Sequence, residues 1–330
     1  MIFGEVPVKN AEGTILAHSI SVGEQRLRKG MKIGKEQILA LMDSGISLIS
    51  VAKIEADDVE ENVAANRLAL ALNPKNNQTL RSTKANTGRV NLIATGPGLV
   101  LLDKNRLIKM NQIDPMITCA TVPDFQQAKN GTLVATIKII SYAVAEENLS
   151  KACELAKNSL KLVSPKFNKA SLLISHSLGG PGKKGIPAIK LRLEALGISL
   201  EDVIVVPHEI ESLANALRNI GSEMILVLTS SATSDICDTA PSALRVAGGK
   251  VLRFGIPVDP GNLLFLGELN DKPVIGFPSC VRSPALNGAD WVLSRVACGI
   301  ELNSISFSQM AIGGLLKEMP SRPHPRQSKK

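Results

Sequence analysis

From about residue 170 onward, short apolar segments alternate with amphipathic helical segments, and this alternation restricts the fold more than any other feature of the chain. The helical segments end at glycines such as Gly197 and Gly221, which are typical helix C-caps. Parallel strands need a crossover between them, so this regularity predicts a mostly parallel sheet with helices on both faces. We therefore predict a three-layer α/β domain over residues 166–316. The apolar segments of strand length are residues 171–175, 203–206, 224–228, 251–254, 263–266 and 274–277.

The first half of the chain lacks this regularity. Strand-like and helix-like patterns are mixed there, with a helical stripe over residues 35–44 and a polar stretch over residues 73–88. We predict a smaller α+β region over residues 1–165, which ends at Ser164-Pro165. Residues 317–330 contain five Lys and Arg against one Glu, and we expect a basic, Pro-rich tail.

Charge and aromatic content argue against nucleic-acid binding. The formal net charge is +8, but half of this excess lies in residues 317–330, and residues 166–316 hold 13 basic and 13 acidic side chains. A DNA-binding surface needs a dense array of Lys and Arg. Aromatic residues make up 3% of the chain, too few for the stacking platforms of single-strand binders. We expect no nucleic-acid partner.

The cysteines and histidines show no disulfide or metal-binding pattern. The five cysteines form no C-x-x-C pair, which is typical of free thiols in a reducing compartment. No apolar run approaches the length of a membrane span, and the N-terminus lacks the features of a signal peptide. We expect a cytoplasmic protein with no protein-bound metal site and no membrane partner.

Three polar loops follow predicted strands and precede predicted helices. This places all three at the carboxyl edge of the sheet, where open α/β sheets bind their ligands. The first loop, residues 176–185, has the sequence HSLGGPGKKG, whose amides and lysines suit an anion. The alternative is a solvated turn. The candidate binding residues here are Gly179, Gly180, Gly182 and Lys183.

The second loop, residues 229–238, combines five hydroxyl side chains with two carboxylates. Hydroxyls can hold phosphate oxygens, and a carboxylate can hold a divalent cation such as Mg²⁺ or accept an N–H group. The alternative is ordinary helix capping with the rest of the loop solvated. The candidate binding residues here are Thr229, Ser230, Ser231, Thr233, Asp235 and Asp238.

The third loop, residues 278–284, places an arginine before a predicted helix. Ser283-Pro284 is typical of an N-cap followed by a first-turn proline, and it predicts a helix through about Val296. Arg282 beside free helix amides would suit an oxyanion, although a surface arginine beside an N-cap is the alternative. A rigid turn at residues 257–262 offers further amides, or simply connects two strands. The candidate binding residues of these two segments are Ser279, Arg282, Ser283, Pro260, Gly261 and Asn262.

Spacing alone identifies no catalytic residue. Cys280 lies in the third loop, but no His–carboxylate pair stands at a spacing that would activate it. His176 and His208 lie at predicted strand ends. They are candidates for general bases or for hydrogen-bonded structural or binding groups.

In combination these motifs resemble the molybdopterin-binding domain of molybdenum-cofactor biosynthesis enzymes. Thr229, Asp238 and Pro241 stand where that family has its T-G-G-x-[GS], Asp and T-P motifs. Residues 258–278 are similar to the P-G-K-P and G-L-P-G-N-P runs of the molybdopterin molybdotransferases. This similarity is greatest over residues 170–300.

A closer resemblance, over nearly the whole chain, is to a bacterial subgroup often fused ahead of a molybdenum cofactor cytidylyltransferase domain. The segments that resemble it are TGRVNL at 87–92, Pro207-His208-Glu209, DPGNLL at 259–264 and RSPALNG at 282–288.

The resemblance implies a protein that binds molybdopterin or the molybdenum cofactor during cofactor biosynthesis or maturation and assists molybdate insertion. Pterin N–H groups would meet Asp238, and the phosphate would meet amides and Lys or Arg. The alternative is a non-catalytic carrier or scaffold for a partner cytidylyltransferase or molybdoenzyme. A third hypothesis is an enzyme acting on another phosphorylated nucleotide. The resemblance also raises the prospect of a homo-oligomer.

Three departures from the family bear on activity. Ser230-Ser231 replaces a glycine pair, and His208 stands where the adenylyltransferase branch has an Asp. The chain has no nucleotidyltransferase loop of the L-x-A-G-x-S-x-R-M-G type. We therefore expect neither adenylyl nor cytidylyl transfer by this chain alone.

Overall fold

The computed structural model describes residues 1–74 and 78–316, and its contacts divide the chain into two units. The first unit comprises residues 1–96 and 100–162, and the second comprises residues 97–99 with the residues from 163 onward. The predicted basic tail lies outside the described residues. Among the described residues, no helix is long and apolar enough to cross a membrane.

The first half of the chain contains many short strands and four α-helices within the described residues. The strands are β1 (Ile2–Pro7), β2 (Ile15–Leu16), β3 (Ile20–Val22), β4 (Gln25–Leu27), β5 (Leu48–Lys53), β6 (Asp58–Glu60), β7 (Leu80–Ser82), β8 (Arg89–Ala94), β9 (Gly98–Leu102), β10 (Ile117–Thr121), β11 (Gln127–Ala128), β12 (Leu133–Ile139), β13 (Ala143–Ala145) and β14 (Leu160–Val163). The helices are α1 (Lys35–Asp43), α2 (Glu61–Leu72), α3 (Lys104–Asn111) and α4 (Glu146–Ala156).

Two separate hydrophobic clusters hold the first unit together. One includes Leu41 of α1 and Val51 of β5, beneath the antiparallel sheet β1-β5-β2. The other includes Leu68 of α2 and Leu92 of β8, where the four-stranded sheet β10-β12-β8-β7 is also antiparallel. Helices and strands are thus mixed in this unit, as the sequence pattern predicts.

The second unit alternates strands and helices. Its elements in chain order are β15 (Lys169–His176), α5 (Ile186–Glu194), β16 (Ser199–Pro207), α6 (Ile210–Asn219), β17 (Met224–Leu228), α7 (Thr239–Val246), β18 (Lys250–Phe254), β19 (Phe265–Leu269), β20 (Lys272–Phe277), α8 (Gly288–Ala297) and α9 (Ser304–Gln309).

One six-stranded sheet forms the middle of this unit, in the order β16-β15-β17-β20-β19-β18. The first four of these strands are parallel, and β19 runs antiparallel to both of its neighbours. The predicted parallel sheet is therefore limited to four strands, and antiparallel pairings outnumber parallel ones over the described chain as a whole. The antiparallel pair arises because β19 and β20 are joined by a tight turn at Asn270 and Asp271, both with positive φ.

Helices cover both faces of this sheet because its strands are apolar on both sides. In β15, Leu172 faces a cluster that contains Ile189 of α5 and Val292 of α8. Leu173, one residue further along, faces the opposite cluster, which contains Leu213 of α6. Successive strand residues point to opposite faces, so the apolar run fills both clusters.

The chain reverses direction across the sheet between β15 and β17. After β15 it crosses through α5 on one face to β16, whereas after β17 it enters α7 on the other face. The loops that leave these two adjacent strands therefore lie at a switch point of the sheet, and we call this part of the carboxyl edge the crevice. Open α/β sheets bind ligands at such a switch point.

The prediction that Ser283-Pro284 opens a helix is wrong. Residues Ser279–Arg282 form a short 3₁₀ turn, and α8 begins only at Gly288. Asn287 is the N-cap, because its side chain accepts the N–H of Ala289 while Asp290 accepts the N–H of Asn287. This reciprocal capping box places the N-cap of α8 four residues after Ser283, whose own Oγ accepts only the N–H of Ala285 among the described residues.

Candidate functional site

Arg282 joins the three polar loops at the carboxyl edge. Its Nη2 donates to the carbonyl oxygen of Thr229 at 2.8 Å. Its Nη1 donates to the carbonyl oxygens of Gly182, at 3.3 Å, and of Lys184. The structure thus brings together segments that are about 50 and 100 residues away in the sequence.

The positive charge of Arg282 has no anionic partner in the described part of the chain. Its three acceptors are neutral carbonyl groups, and burial lowers the pKa of the guanidinium. Its Nε is buried and has no hydrogen-bond partner among the described residues. A buried donor without a partner is costly, so this group is suited to a ligand that brings an acceptor.

Gly185 allows Arg282 to pack against the first loop. Its φ is +105°, and a Cβ at this position would lie 2.9 Å from Cγ of Arg282. Any other residue would be strained in its backbone and would displace the arginine. Gly179 and Gly182 also have positive φ but face open space. Lys183 and Lys184 are exposed.

The second loop is shaped by its own hydroxyl groups. The Thr229 hydroxyl donates to the carbonyl of Ser231 at 2.6 Å and lies 3.3 Å from the Thr233 hydroxyl. Both threonines are buried, so they shape the loop from within. Ser230 differs, because its Oγ is buried and the part of the chain that the structure describes offers it no partner. Ser231 is exposed.

The two carboxylates of this loop bind backbone amides. Asp238 caps α7, and its side chain accepts the N–H groups of Ser234 at 2.9 Å and Thr239 at 2.6 Å. Burial by itself would raise the pKa of Asp238, but these hydrogen bonds outweigh burial and hold the pKa below its ordinary value. Asp235 accepts the N–H of Cys237 at 2.7 Å. The two groups therefore act as local backbone supports in this structure.

His208 and Ser175 complete the crevice, and sequence reasoning missed Ser175 altogether. Nδ1 of His208 lies 2.8 Å from Oγ of Ser175, and Nε2 lies 3.4 Å from Oγ of Ser231. Oγ of Ser175 also accepts the N–H of Ser230 at 3.0 Å. The available signal was a hydroxyl near the end of an otherwise apolar strand.

The turn at residues 257–262 supports α8 in this structure. The carbonyl of Pro260 accepts the N–H of Gly288 at 2.8 Å, and a Cβ on Gly261 would lie 2.6 Å from that nitrogen. Asn262 lines a separate cleft of about 520 Å³ with Arg253 and Ser308. The described contacts of this turn do not include Arg282 or the second loop.

Two further predicted residues flank Arg282 without joining its contacts. Ser279 begins the 3₁₀ turn. The Oγ of Ser283 accepts the N–H of Ala285 at 3.2 Å. Both residues therefore belong to the segment that presents Arg282, and the described side-chain hydrogen bond of Ser283 stays within that segment.

Arg192 fixes the loop that presents Arg282, and no sequence motif indicated it. Its Nε donates to Asp290 at 2.6 Å. Its other four N–H bonds are all directed at carbonyl oxygens, those of Ala188, Val281, Ser283 and Ala285.

In the part of the chain that the structure describes, no three His, Cys, Asp or Glu side chains converge on one point. The divalent cation considered for the second loop therefore has no ready carboxylate cluster there.

Fold and site together define an α/β protein with a cationic, hydroxyl-lined crevice at the switch point of its larger sheet. Residues 5–53 match a family described as a domain of unknown function (DUF8806). No curated protein matches the chain.

Several solved structures are similar to this chain. A molybdopterin biosynthesis MoeA protein from Pyrococcus horikosii is 13% identical, with 91% of this chain and 76% of that chain covered and a TM-score of 0.32. A molybdopterin biosynthesis protein from Mycobacterium abscessus is 12% identical, with 45% and 99% covered and a TM-score of 0.29. A molybdenum cofactor biosynthesis protein from Pyrococcus furiosus is 11% identical, with 96% and 65% covered and a TM-score of 0.24. Because these TM-scores are low, we base the proposal below on the residues of this chain.

Proposed function

We propose that this protein binds molybdopterin or the molybdenum cofactor in the crevice between β15 and β17 and acts in the biosynthesis or maturation of that cofactor. The observation that carries the proposal is a pair of buried polar atoms that have no hydrogen-bond partner in the described chain, Oγ of Ser230 and Nε of Arg282. Both belong to the same crevice, since Arg282 is hydrogen-bonded to the carbonyl of Thr229, which is joined to Ser230. A phosphate group offers acceptors for both.

Charge supports an anionic ligand. Arg282 has no carboxylate partner among the described residues, and Lys183 and Lys184 add exposed positive charge on the adjoining loop. A guanidinium is well suited to phosphate because its donors form a planar fork. Glycine amides of the first loop suit the same group.

The pterin part of the proposal rests on the motif order of the sequence. Thr229, Asp238 and Pro241 occur in the order of the molybdopterin-binding motifs, and all three belong to the segment that leaves β17. The motif order favours a pterin, and the cationic site favours a phosphate. Molybdopterin contains both groups, and we therefore propose it as the ligand.

The carrier form of this function is favoured over a catalytic one. Asp235 and Asp238 are both engaged with backbone amides. Both oxygens of Asp238 and one oxygen of Asp235 are thus already used to support the backbone, which disfavours a cation site for nucleotide chemistry at these two residues. On this proposal the protein holds the cofactor and passes it to a partner, such as a cytidylyltransferase or a molybdoenzyme.

The test is to express the protein in cells that make molybdopterin and to quantify the bound pterin by mass spectrometry. Wild type should retain the ligand. Arg282→Ala should weaken retention roughly 10- to 150-fold, the effect of losing a charge-assisted hydrogen bond of about 1.5–3 kcal/mol. Arg218→Ala is the matched control, because Arg218 is exposed and bonds only to Asn215 and Val246 among the described residues.

Folding must be separated from binding, because Arg282 also joins the loops. Lys183→Ala with Lys184→Ala alters exposed groups, so it should lower retention without changing thermal unfolding, and more strongly at low salt. Wild-type protein that holds no pterin, from cells shown to make it, would contradict the proposal.

A further inference from the structure

The hydroxyl of Ser175 determines which nitrogen of His208 carries a hydrogen. Ser175 is fully buried, with 0% of its surface exposed. Its Oγ accepts the N–H of Ser230 at 3.0 Å, and the other polar atom that the described residues place within reach is Nδ1 of His208 at 2.8 Å. A buried hydroxyl hydrogen that finds no acceptor is costly, and Nδ1 is the acceptor within reach among the described residues. The Ser175 hydroxyl therefore donates to Nδ1, and the hydrogen of the neutral imidazole lies on Nε2.

This tautomer determines whether the Ser231 hydroxyl donates or accepts in its hydrogen bond with His208. Nε2 lies 3.4 Å from Oγ of Ser231, so the Nε2–H group donates to that oxygen. With one lone pair engaged, the Ser231 hydroxyl directs its own hydrogen away from His208. Ser231 is exposed beside the buried, unpartnered Oγ of Ser230, so this hydrogen is presented to the crevice.

We propose that His208 is a positioning residue which makes Ser231 a hydrogen-bond donor toward an anionic oxygen of the ligand, and that the crevice thereby selects a phosphate-type oxyanion. The inference rests on the proposed function for the location of the ligand and adds the polarity of the contact. Arg282 and Ser231 would then both offer donors, as an oxyanion that can only accept requires.

The tautomer can be measured without any ligand. Long-range ¹⁵N–¹H NMR spectra of the imidazole groups distinguish a neutral ring with hydrogen on Nε2 from one with hydrogen on Nδ1. His208→Asn assigns the signal by its disappearance. We expect the Nε2–H form in wild type and a shift of that signal in Ser175→Ala. A wild-type ring with hydrogen on Nδ1 would overturn the proposal.

Two substitutions separate the two nitrogens of His208. The side-chain amide of asparagine lies close to the position of Nδ1 in histidine. His208→Asn therefore keeps an acceptor for the Ser175 hydroxyl and loses the group that donates to Ser231. Glutamine reaches the position of Nε2, so His208→Gln keeps that donor. With inorganic phosphate as the probe, His208→Asn should weaken binding about tenfold, whereas His208→Gln should bind close to wild type.

A double-mutant cycle shows whether His208 acts through Ser231. Ser231→Ala should weaken phosphate binding by a similar factor, and adding His208→Asn to it should have little further effect. Additive losses would overturn the positioning role. The positioning role would also be overturned if wild type does not bind phosphate, or if wild type, His208→Asn, Ser231→Ala and the double variant bind it equally. Thermal unfolding of each variant checks that the losses do not come from folding.

The two proposals fail in different ways. If wild type retains molybdopterin but the phosphate series shows no effect of His208, the proposed function stands and this inference is wrong. If the phosphate series behaves as expected but no pterin co-purifies, the inference stands and the identity of the ligand is wrong.

Discussion

Arg192 and Asp290 are joined by a 2.6 Å hydrogen bond between Nε and Oδ1, although 98 residues separate them in the sequence. Arg192 lies in α5, and Asp290 lies in the first turn of α8. The other oxygen of Asp290 accepts the N–H of Asn287 at 2.8 Å. One ion pair therefore couples the cap of α8 to the helix that follows the first polar loop.

Replacing Arg192 should destabilise the protein strongly. Arg192→Met removes the buried cation that pairs with the partly buried Asp290 and takes donors away from four carbonyl groups. We expect a loss of about 3–5 kcal/mol in the free energy of unfolding, measured in urea. Arg218→Met, at an exposed site, should change it by less than about 0.5 kcal/mol. Similar losses for the two variants would show that Arg192 does not hold the loop.

A methyl group at position 185 should disturb the site more than one at position 179. Both glycines have positive φ, so alanine costs about 1–2 kcal/mol at either. At Gly185 the added Cβ also meets Arg282, whereas at Gly179 nothing lies within 4 Å. Gly185→Ala should therefore lower the unfolding free energy by about 1–3 kcal/mol more than Gly179→Ala. Equal effects in parallel urea titrations would mean that Arg282 moves aside freely.

Asp238 should contribute to stability through its cap and its charge. Asp238→Ala should cost about 0.5–2 kcal/mol at neutral pH, and Asp238→Asn clearly less, because asparagine also caps helices. The folded pKa of Asp238 is lowered, so the charge-dependent contribution is fully present above the unfolded value of about 3.9. It is lost as the pH falls through the folded value.

Urea unfolding of wild type and Asp238→Asn between neutral and acidic pH tests whether the stabilisation by the Asp238 charge decreases as the pH falls. The stability advantage of wild type over Asp238→Asn should shrink on acidification. An advantage that grows as the pH falls would contradict the assigned hydrogen bonds.

The isolated chain should not adenylylate molybdopterin. In the described residues no three metal-ligating side chains converge, and His208 is engaged with Ser175 and Ser231. Incubation with molybdopterin, Mg²⁺ and ATP should therefore yield no adenylylated product by mass spectrometry, while binding persists. Product formed at the rate of a dedicated adenylyltransferase would refute the carrier proposal. If no product forms, adding molybdate with preformed adenylylated ligand would distinguish a carrier from a molybdate-insertion protein.

Local sequence patterns determined where the main elements and loops of the second unit lie. The apolar run at residues 224–228 is β17, bounded as predicted, because a fully buried strand needs an unbroken apolar segment. Gly197 and Gly221 follow the ends of α5 and α6 within three residues, and of these two glycines Gly197 has the positive φ typical of a helix C-cap. Since strand direction follows from the alternation of elements, the shared edge of the three polar loops was also predictable.

Only the tertiary structure decided which polar groups are engaged. Ser283-Pro284 is typical of a helix start, yet Asn287 caps α8, because Asp290 and Arg192 hold that segment from outside it. Ser175 meets His208 because β15 and β16 are parallel neighbours, a pairing that no local pattern expresses. Local periodicity indicates which face of a helix or strand is buried. It does not indicate which donor and acceptor pair over 33 residues, as in Ser175 and His208, or over 98 residues, as in Arg192 and Asp290. Those pairings determine the charge and polarity of the crevice.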